Sequence, residues 1–399
     1  MRVLATCALV FVAAVLINAQ SPSRQIIAGS NPTLPFSSAV KAGGFVYVAG
    51  SIGDGSTPLA KGDVRSQTKQ TLDGIAKTLK SAGSSLANAA SVTVYLRNAA
   101  DAAAMNQVYA TYFPTNPPAR TTVVVTQPLA NADGLVEISV IAIPDGGERT
   151  VVHPDGWAKV PSPYSYGIKS GNTLFLAGLV SRNGKDNANV PGDLTAQTKT
   201  VLDNGAAVLK QAGMSFADVV ASRVFIANAA GFQTMNAAYR PYFSDVPPAR
   251  LTVQAGLPGP DFLIEVAMIA VKDASRTAVA TPNADGTPGR PSANLSSAIR
   301  VGNTLYVSGL VGSTASNRGD TKGQATEVLD RMDRTLRAAG FTKSDIVDTT
   351  VFMSDMTKFG DMNEVYRPRF GSNFPARATV GLAPVGEAVM VEMMFVEVK

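Results

Sequence analysis

Three arginines recur in one setting. They close the phrases PPAR at 117–120, PPAR at 247–250 and FPAR at 374–377, so Arg120, Arg250 and Arg377 stand 130 and 127 residues apart. After each comes a glutamate bracketed by apolar residues: Glu137 in VEI, Glu265 in IEV and Glu392 in VEM. A guanidinium fork binds a carboxylate through two parallel hydrogen bonds. A carboxylate held among apolar side chains can orient water or move a proton. Each Arg–Glu couple is centred on or beside a proline, namely Pro128, Pro258 or Pro384. A turn there predicts an antiparallel hairpin with arginine opposite glutamate, their Cβ atoms about 5 Å apart. Two readings stay open at this point. One is an ion pair on a solvated face, worth at most about 1 kcal/mol; the other is a site that binds an anion and orients water.

The remaining inventory narrows the chemistry. The single histidine, His153, lies in GGERTVVHPDGWAKVPSP, a Gly- and Pro-rich stretch that reads as a solvated linker. The single cysteine, Cys7, lies in the apolar N-terminal run. Ser-His-Asp triads, thiol nucleophiles and His/Cys zinc sites all need residues that the mature chain lacks. The formal charge is +5, but Lys and Arg are scattered, without a basic run or basic–aromatic interleaving. That pattern speaks against nucleic acid as a partner.

The elements that must position the arginines also come three times. Each unit opens on a hairpin, SSAVKAGGFVYVAGSIG, SYGIKSGNTLFLAGLVS or SSAIRVGNTLYVSGLVG, with Gly-Gly or Gly-Asn at the turn. A helix follows. Its N-cap candidates are Asp63, Asp193 and Asp320 or Thr321, and its stops are Gly83, Gly213 and Gly340. In the first copy Val64, Thr68, Leu72, Ile75 and Leu79 share one face. A strand, a second helix carrying MNQVYATYF, MNAAYRPYF or MNEVYRPRF, and two last strands complete the order ββαβαββ. The expected class is α+β, one sheet covered by two helices per unit.

The segment MRVLATCALVFVAAVLINAQS has an early Arg2 and an apolar run from Val3 to Ile17. It predicts a secretory signal over 1–19, cleaved near Ala19, and an exported protein, periplasmic or extracellular, with no disulfide and no membrane contact after cleavage. The expected units are 26–147, 161–274 and 293–399, with Pro/Gly/Thr-rich linkers around 145–160 and 273–293.

The xSG-type phrase after the first hairpin, the MNxxYxxxF helix, the PAR arginine and the apolar-flanked glutamate resemble the Rid family of imine deaminases, also called the YjgF family. The resemblance spans each unit end to end. It implies the chorismate mutase-like, YjgF-like fold, usually a homotrimer with a central barrel, helices outside and ligand clefts between subunits. Three units in one chain would make a monomeric pseudo-trimer. The resemblance further implies that Arg120, Arg250 and Arg377 hold the carboxylate of a 2-imino or 2-enamino acid. Glu137, Glu265 and Glu392 would place the attacking water, and backbone at Gly50, Gly178 and Gly309 would line the clefts. Ammonia and a 2-keto acid would leave, without metal or cofactor. The alternative is a non-catalytic module of the same fold that binds small carboxylates or a protein.

Some positions depart from the family pattern. Ala49 and Ala177 stand where the family favours Ser, so Ser308 alone supplies that hydroxyl. The aromatic expected before the hairpin is Phe36, Tyr164 and then Leu295, and Thr122, Thr252 and Thr379 follow the arginines. Asn106, Asn236 and Asn363 read equally as helix-to-loop bonds or ligand contacts. Tyr109, Tyr239 and Tyr366 read as core. A cleft built from one repeat's own residues would join Arg377, Glu392 and Ser308.

Overall fold

The computed structural model describes residues 24–29, 31, 33–243 and 245–399. The expected signal over 1–19, with Cys7, lies outside them.

In repeat 1, β1 (Gln25–Ile27), β2 (Ala39–Ala42) and β3 (Phe45–Ser51) precede α1 (Val64–Ser81). Then come β4 (Ala89–Leu96), α2 (Ala102–Tyr112), β5 (Ala119–Val124) and β6 (Val136–Ala142). Repeat 2 runs β7 (Thr150–Val152), β8 (Gly167–Ser170), β9 (Thr173–Leu176), α3 (Leu194–Gln211), β10 (Val219–Ile226), α4 (Phe232–Tyr239), β11 (Ala249–Gln254) and β12 (Ile264–Val271). Repeat 3 runs β13 (Thr277–Val279), β14 (Ala298–Val301), β15 (Thr304–Val311), α5 (Thr321–Ala339), β16 (Ile346–Met353), α6 (Phe359–Phe370), β17 (Ala376–Val380), β18 (Ala383–Pro384) and β19 (Val391–Val398).

The local signals act as expected except at the start of α5, where Asp320 takes the N-cap position without a side-chain cap bond. Asp63 and Asp193 cap α1 and α3 by accepting from the backbone N–H of Arg65 and Ala196. Gly83, Gly213 and Gly340 follow the long helices with φ of 68°, 72° and 75°, a left-handed stop that favours glycine. The stripe Val64, Thr68, Leu72, Ile75 and Leu79 is buried.

Three expectations fail on topology. The linkers are not aperiodic, because β7 and β13 lie in them and pair with β8 and β14, as β1 pairs with β2. Each unit therefore opens on one strand more than ββαβαββ, and repeat 3 adds the two-residue β18 as well. The Arg and Glu strands form no hairpin either: β4 lies between them, parallel to β5 and antiparallel to β6. A helix connects β4 to β5, and such a crossover brings the chain back parallel; the prolines lie in a longer connection. Finally, the described residues make three separate sheets and no closed barrel.

The sheets pack back to back. One apolar cluster draws on all three repeats, with Tyr95, Phe225 and Phe352 in contact at its centre, ring centroids 6.5 Å apart in two edge-to-face pairs. Three further clusters lie between each sheet and its helices, which cover the outer faces.

Candidate functional site

The arginine and glutamate that face each other come from different repeats. Arg377 at β17 faces Glu137 on β6, Arg120 at β5 faces Glu265 on β12, and Arg250 at β11 faces Glu392 on β19. Each site is thus a seam, arginine from one unit and glutamate from the next. All six side chains are buried, at 2–7 % exposure.

Each glutamate is aimed by a glycine. A Cβ on Gly50, Gly178 or Gly309 would lie 2.0, 1.8 or 1.9 Å from an oxygen of Glu137, Glu265 or Glu392. Only glycine permits that approach. The pairing of β3 with β6 and of β15 with β19 slips register here, between Val48 and Ser51 and between Val307 and Leu310. Bulges of this kind re-aim side chains beside sites.

Each arginine lies over a tyrosine ring of its own repeat: Tyr109 at 4.8 Å, Tyr239 at 4.8 Å and Tyr366 at 4.6 Å. The tyrosines expected as core are core, and also the platforms that hold the guanidinium flat. Among the described residues, none of the three arginines forms an ion pair with its facing glutamate. Nη1 of Arg120, Nε and Nη1 of Arg250 and all three guanidinium nitrogens of Arg377 are buried without a hydrogen-bond partner. Buried donors of this kind are costly unless an acceptor reaches them.

Burial pushes the carboxyls of Glu137, Glu265 and Glu392 up to about 8. The facing arginine opposes that shift, as does the backbone N–H of Thr379, Thr122 or Thr252, which donates to the carboxylate. The Thr122 bond measures 3.2 Å. Burial likewise lowers Arg377 to about 10, leaving it charged at neutral pH. A cavity of about 380 Å³ opens onto Arg377, Glu137, Gly50, Thr379, Phe36 and Phe359. The arrangement offers a fixed cation, a carboxyl that exchanges its proton near neutrality, and room for a small anion.

These features have counterparts in known proteins. A family model described as "Endoribonuclease L-PSP" matches residues 28–144, 158–272 and 287–398. The chain belongs to this family, the Rid or YjgF family. A RutC family protein of Sulfurisphaera tokodaii is 42 % identical over 29 % of this chain and 91 % of its own length. Another, of Pyrococcus horikoshii, is 45 % identical over 31 % of this chain and 99 % of its own. A solved chorismatase shares the fold over 78 % of this chain and 93 % of its own, with TM-score 0.53 and 15 % identity. Rid membership supports a deaminase or small-molecule-binding role.

Within the Rid frame several expected contacts move. Ser308 does not sit with Arg377: its Oγ accepts from the Arg250 backbone N–H at 2.8 Å and donates to Ser296 O at 2.6 Å. That hydroxyl ties a seam together. Asn236 Oδ1 accepts from Arg250 Nη2 at 2.7 Å, while Oδ1 of Asn106 and of Asn363 is buried without a partner. Phe36 stacks 5.4 Å from Arg377, and Tyr164 takes the same place beside Arg120 and Glu265. Oγ1 of Thr122 and of Thr379 is buried without a partner.

One set of residues escaped sequence reasoning. Ser37, Ser165 and Ser296 each clamp the preceding repeat's PAR phrase, their N–H donating to Pro375, Pro118 and Pro248 O at 3.0–3.1 Å. Their hydroxyls donate to Phe374, Pro117 and Pro247 O at 2.6–2.7 Å. The signal was present as a serine just before each opening strand, in FSSA, YSYG and LSSA.

Proposed function

We propose that the chain is an exported imine deaminase that hydrolyses 2-imino or 2-enamino acids to 2-keto acids and ammonia. The observation that carries this reading is the buried, unpartnered guanidinium of Arg377, a residue that lines a 380 Å³ cavity together with Glu137.

In this reading Arg377 takes the substrate carboxylate through its fork. The Glu137 carboxylate accepts a proton as water adds its oxygen to C2 and hands it to the imine nitrogen, forming the neutral carbinolamine. It then takes the carbinolamine hydroxyl proton and passes it to the amine nitrogen, the C2–N bond breaks with its electron pair going to nitrogen as C2=O forms, and ammonia departs from the keto acid. A carboxyl near 8 suits both halves of the cycle, since each form is populated at neutral pH. Export rests on the N-terminal segment, and mass spectrometry of the secreted protein would find the new N-terminus beside Ala19.

The test generates 2-iminopropanoate and 2-iminobutanoate in situ with an amino-acid oxidase and follows their disappearance. Acceleration over the buffer rate at micromolar protein is expected. No acceleration, with retained binding of a 2-keto acid, would leave the carboxylate-binding module.

A further inference from the structure

In a homotrimer three identical seams are required by symmetry. Here the three seams are built from unlike repeats, and one buried glutamine aligns them. Gln67, Gln197 and Gln324 make the same bonds in each repeat, donating to backbone oxygens at 60 and 133, 192 and 261, or 317 and 388, and accepting from the N–H of Leu135, Leu263 or Met390. Two helical turns further on, at equivalent positions, stand Gly74, Asn204 and Arg331.

Gly74 lines the open cavity. In repeat 2, Asn204 Nδ2 donates to Arg182 O at 2.7 Å. There Tyr166 replaces Ser38, as their shared backbone bond to Ala177 or Ala49 shows, and Trp157 packs on it at 4.8 Å. A Cβ on Gly184 would come within 2.2 Å of the indole. The space left among these residues is about 10 Å³, room for at most about one water, against about 380 Å³ at the first seam.

Repeat 3 is filled differently. Arg331 donates from Nη1 to Val311 O at 2.9 Å and pairs through Nε with Glu327 at 2.7 Å. Thr335, at the position of the cavity-lining Thr78, bonds Thr281 of the incoming segment at 2.6 Å. That incoming segment lengthens from 28–35 in repeat 1 to 153–163 and 280–294 in the others.

We infer that this is a one-site protein: the seam of repeats 3 and 1 takes a single 2-imino or 2-keto carboxylate, and the other two clefts have become packing. The inference rests on the proposed ligand class but is decided by stoichiometry. Titration calorimetry of the whole chain with 2-oxobutanoate should give one molecule bound per chain. Arg377→Ala should abolish all binding heat. Gly74→Asn, which installs in repeat 1 the residue that fills repeat 2, should do the same. A Cβ at Gly74 would lie 2.8 Å from Asp54 Cα, so if that variant fails to fold, Arg377→Ala carries the test. Three molecules per chain, or loss of only one third of the binding in Arg377→Ala, would overturn the inference and leave the deaminase reading standing. No binding by the wild-type chain would overturn both.

Discussion

Arg377 and Glu137 separate two jobs that a single mutation can tell apart. Removing the guanidinium from a buried carboxylate site costs about 2–5 kcal/mol of binding, so Arg377→Ala should weaken 2-oxobutanoate by more than tenfold. Glu137→Gln keeps shape and hydrogen bonding but cannot accept a proton; binding should persist while kcat falls on the order of a hundredfold or more. Because burial holds the Glu137 carboxyl near 8, the acting carboxylate form grows as pH rises. The kcat profile of the wild type should therefore climb to a plateau above about pH 8. A flat profile from pH 6 to 9 would remove Glu137 from proton transfer. Gly50→Ala should also silence the site, since its Cβ would displace the Glu137 carboxylate.

At the scale of elements, the site exists because strands of neighbouring repeats dock end to side. Ser37, Ser165 and Ser296 make that docking through paired backbone and hydroxyl bonds. Ser165→Ala leaves the part-buried Pro117 O without its donor, at a cost of about 1 kcal/mol, the lower end of the range for an unsatisfied carbonyl. Thermal melting of the variant should fall by several degrees; an unchanged melting temperature would mean water replaces the hydroxyl at no cost. Helix α1 contributes in a second way, since Gln67 fastens its buried face to the loops before α1 and before β6. Both loops border the open cavity, so Gln67→Ala should loosen the cavity wall and lower affinity as well as stability.

The whole molecule closes a ring of three seams, two beside covalent connections and one, Ser37 to Pro375, joining the two ends of the described fold. A chain that fills all three seats has no vacant seam for a second copy. Light scattering should give the mass of one chain, 41.4 kDa, or less if the proposed signal over 1–19 is cleaved; three times that value would show the ring is not closed within the chain. The centre of the ring is not symmetric: Arg223 approaches Asp348 at 3.9 Å and donates to Thr350 at 3.3 Å, where repeat 1 has Thr93 and Ser91. A second property of the whole is its pH response. Burial raises Glu137, Glu265 and Glu392 to about 8 and lifts Glu397, buried without a partner, well above its usual range. Raised carboxyls bind protons in the folded state that the unfolded state releases from about pH 4.5 upward. The stability they contribute is complete below that pH and is lost as pH rises through 8. The melting temperature should fall between pH 6 and pH 9, and less so in Glu397→Gln. An identical fall in that variant would clear Glu397.

The sequence alone determined the threefold repetition, the α+β class, the caps and stops of the long helices, and the six charged residues worth following. Those are local matters: periodicity, capping chemistry and repeated phrases are written in consecutive residues. The tertiary structure decided who faces whom. The proline midpoints pointed to an Arg–Glu hairpin inside each repeat, but β4 takes the place between the two strands, and each glutamate meets the preceding arginine in the ring. It also decided that Ser308 ties a seam, that the tyrosines of the second helices support the arginines, and that Trp157 and Arg331 fill clefts. The physical reason is one of range. Strand order and the neighbour across a seam are set by which surfaces bury together over a hundred or more residues of separation, and no single stretch of sequence records that choice.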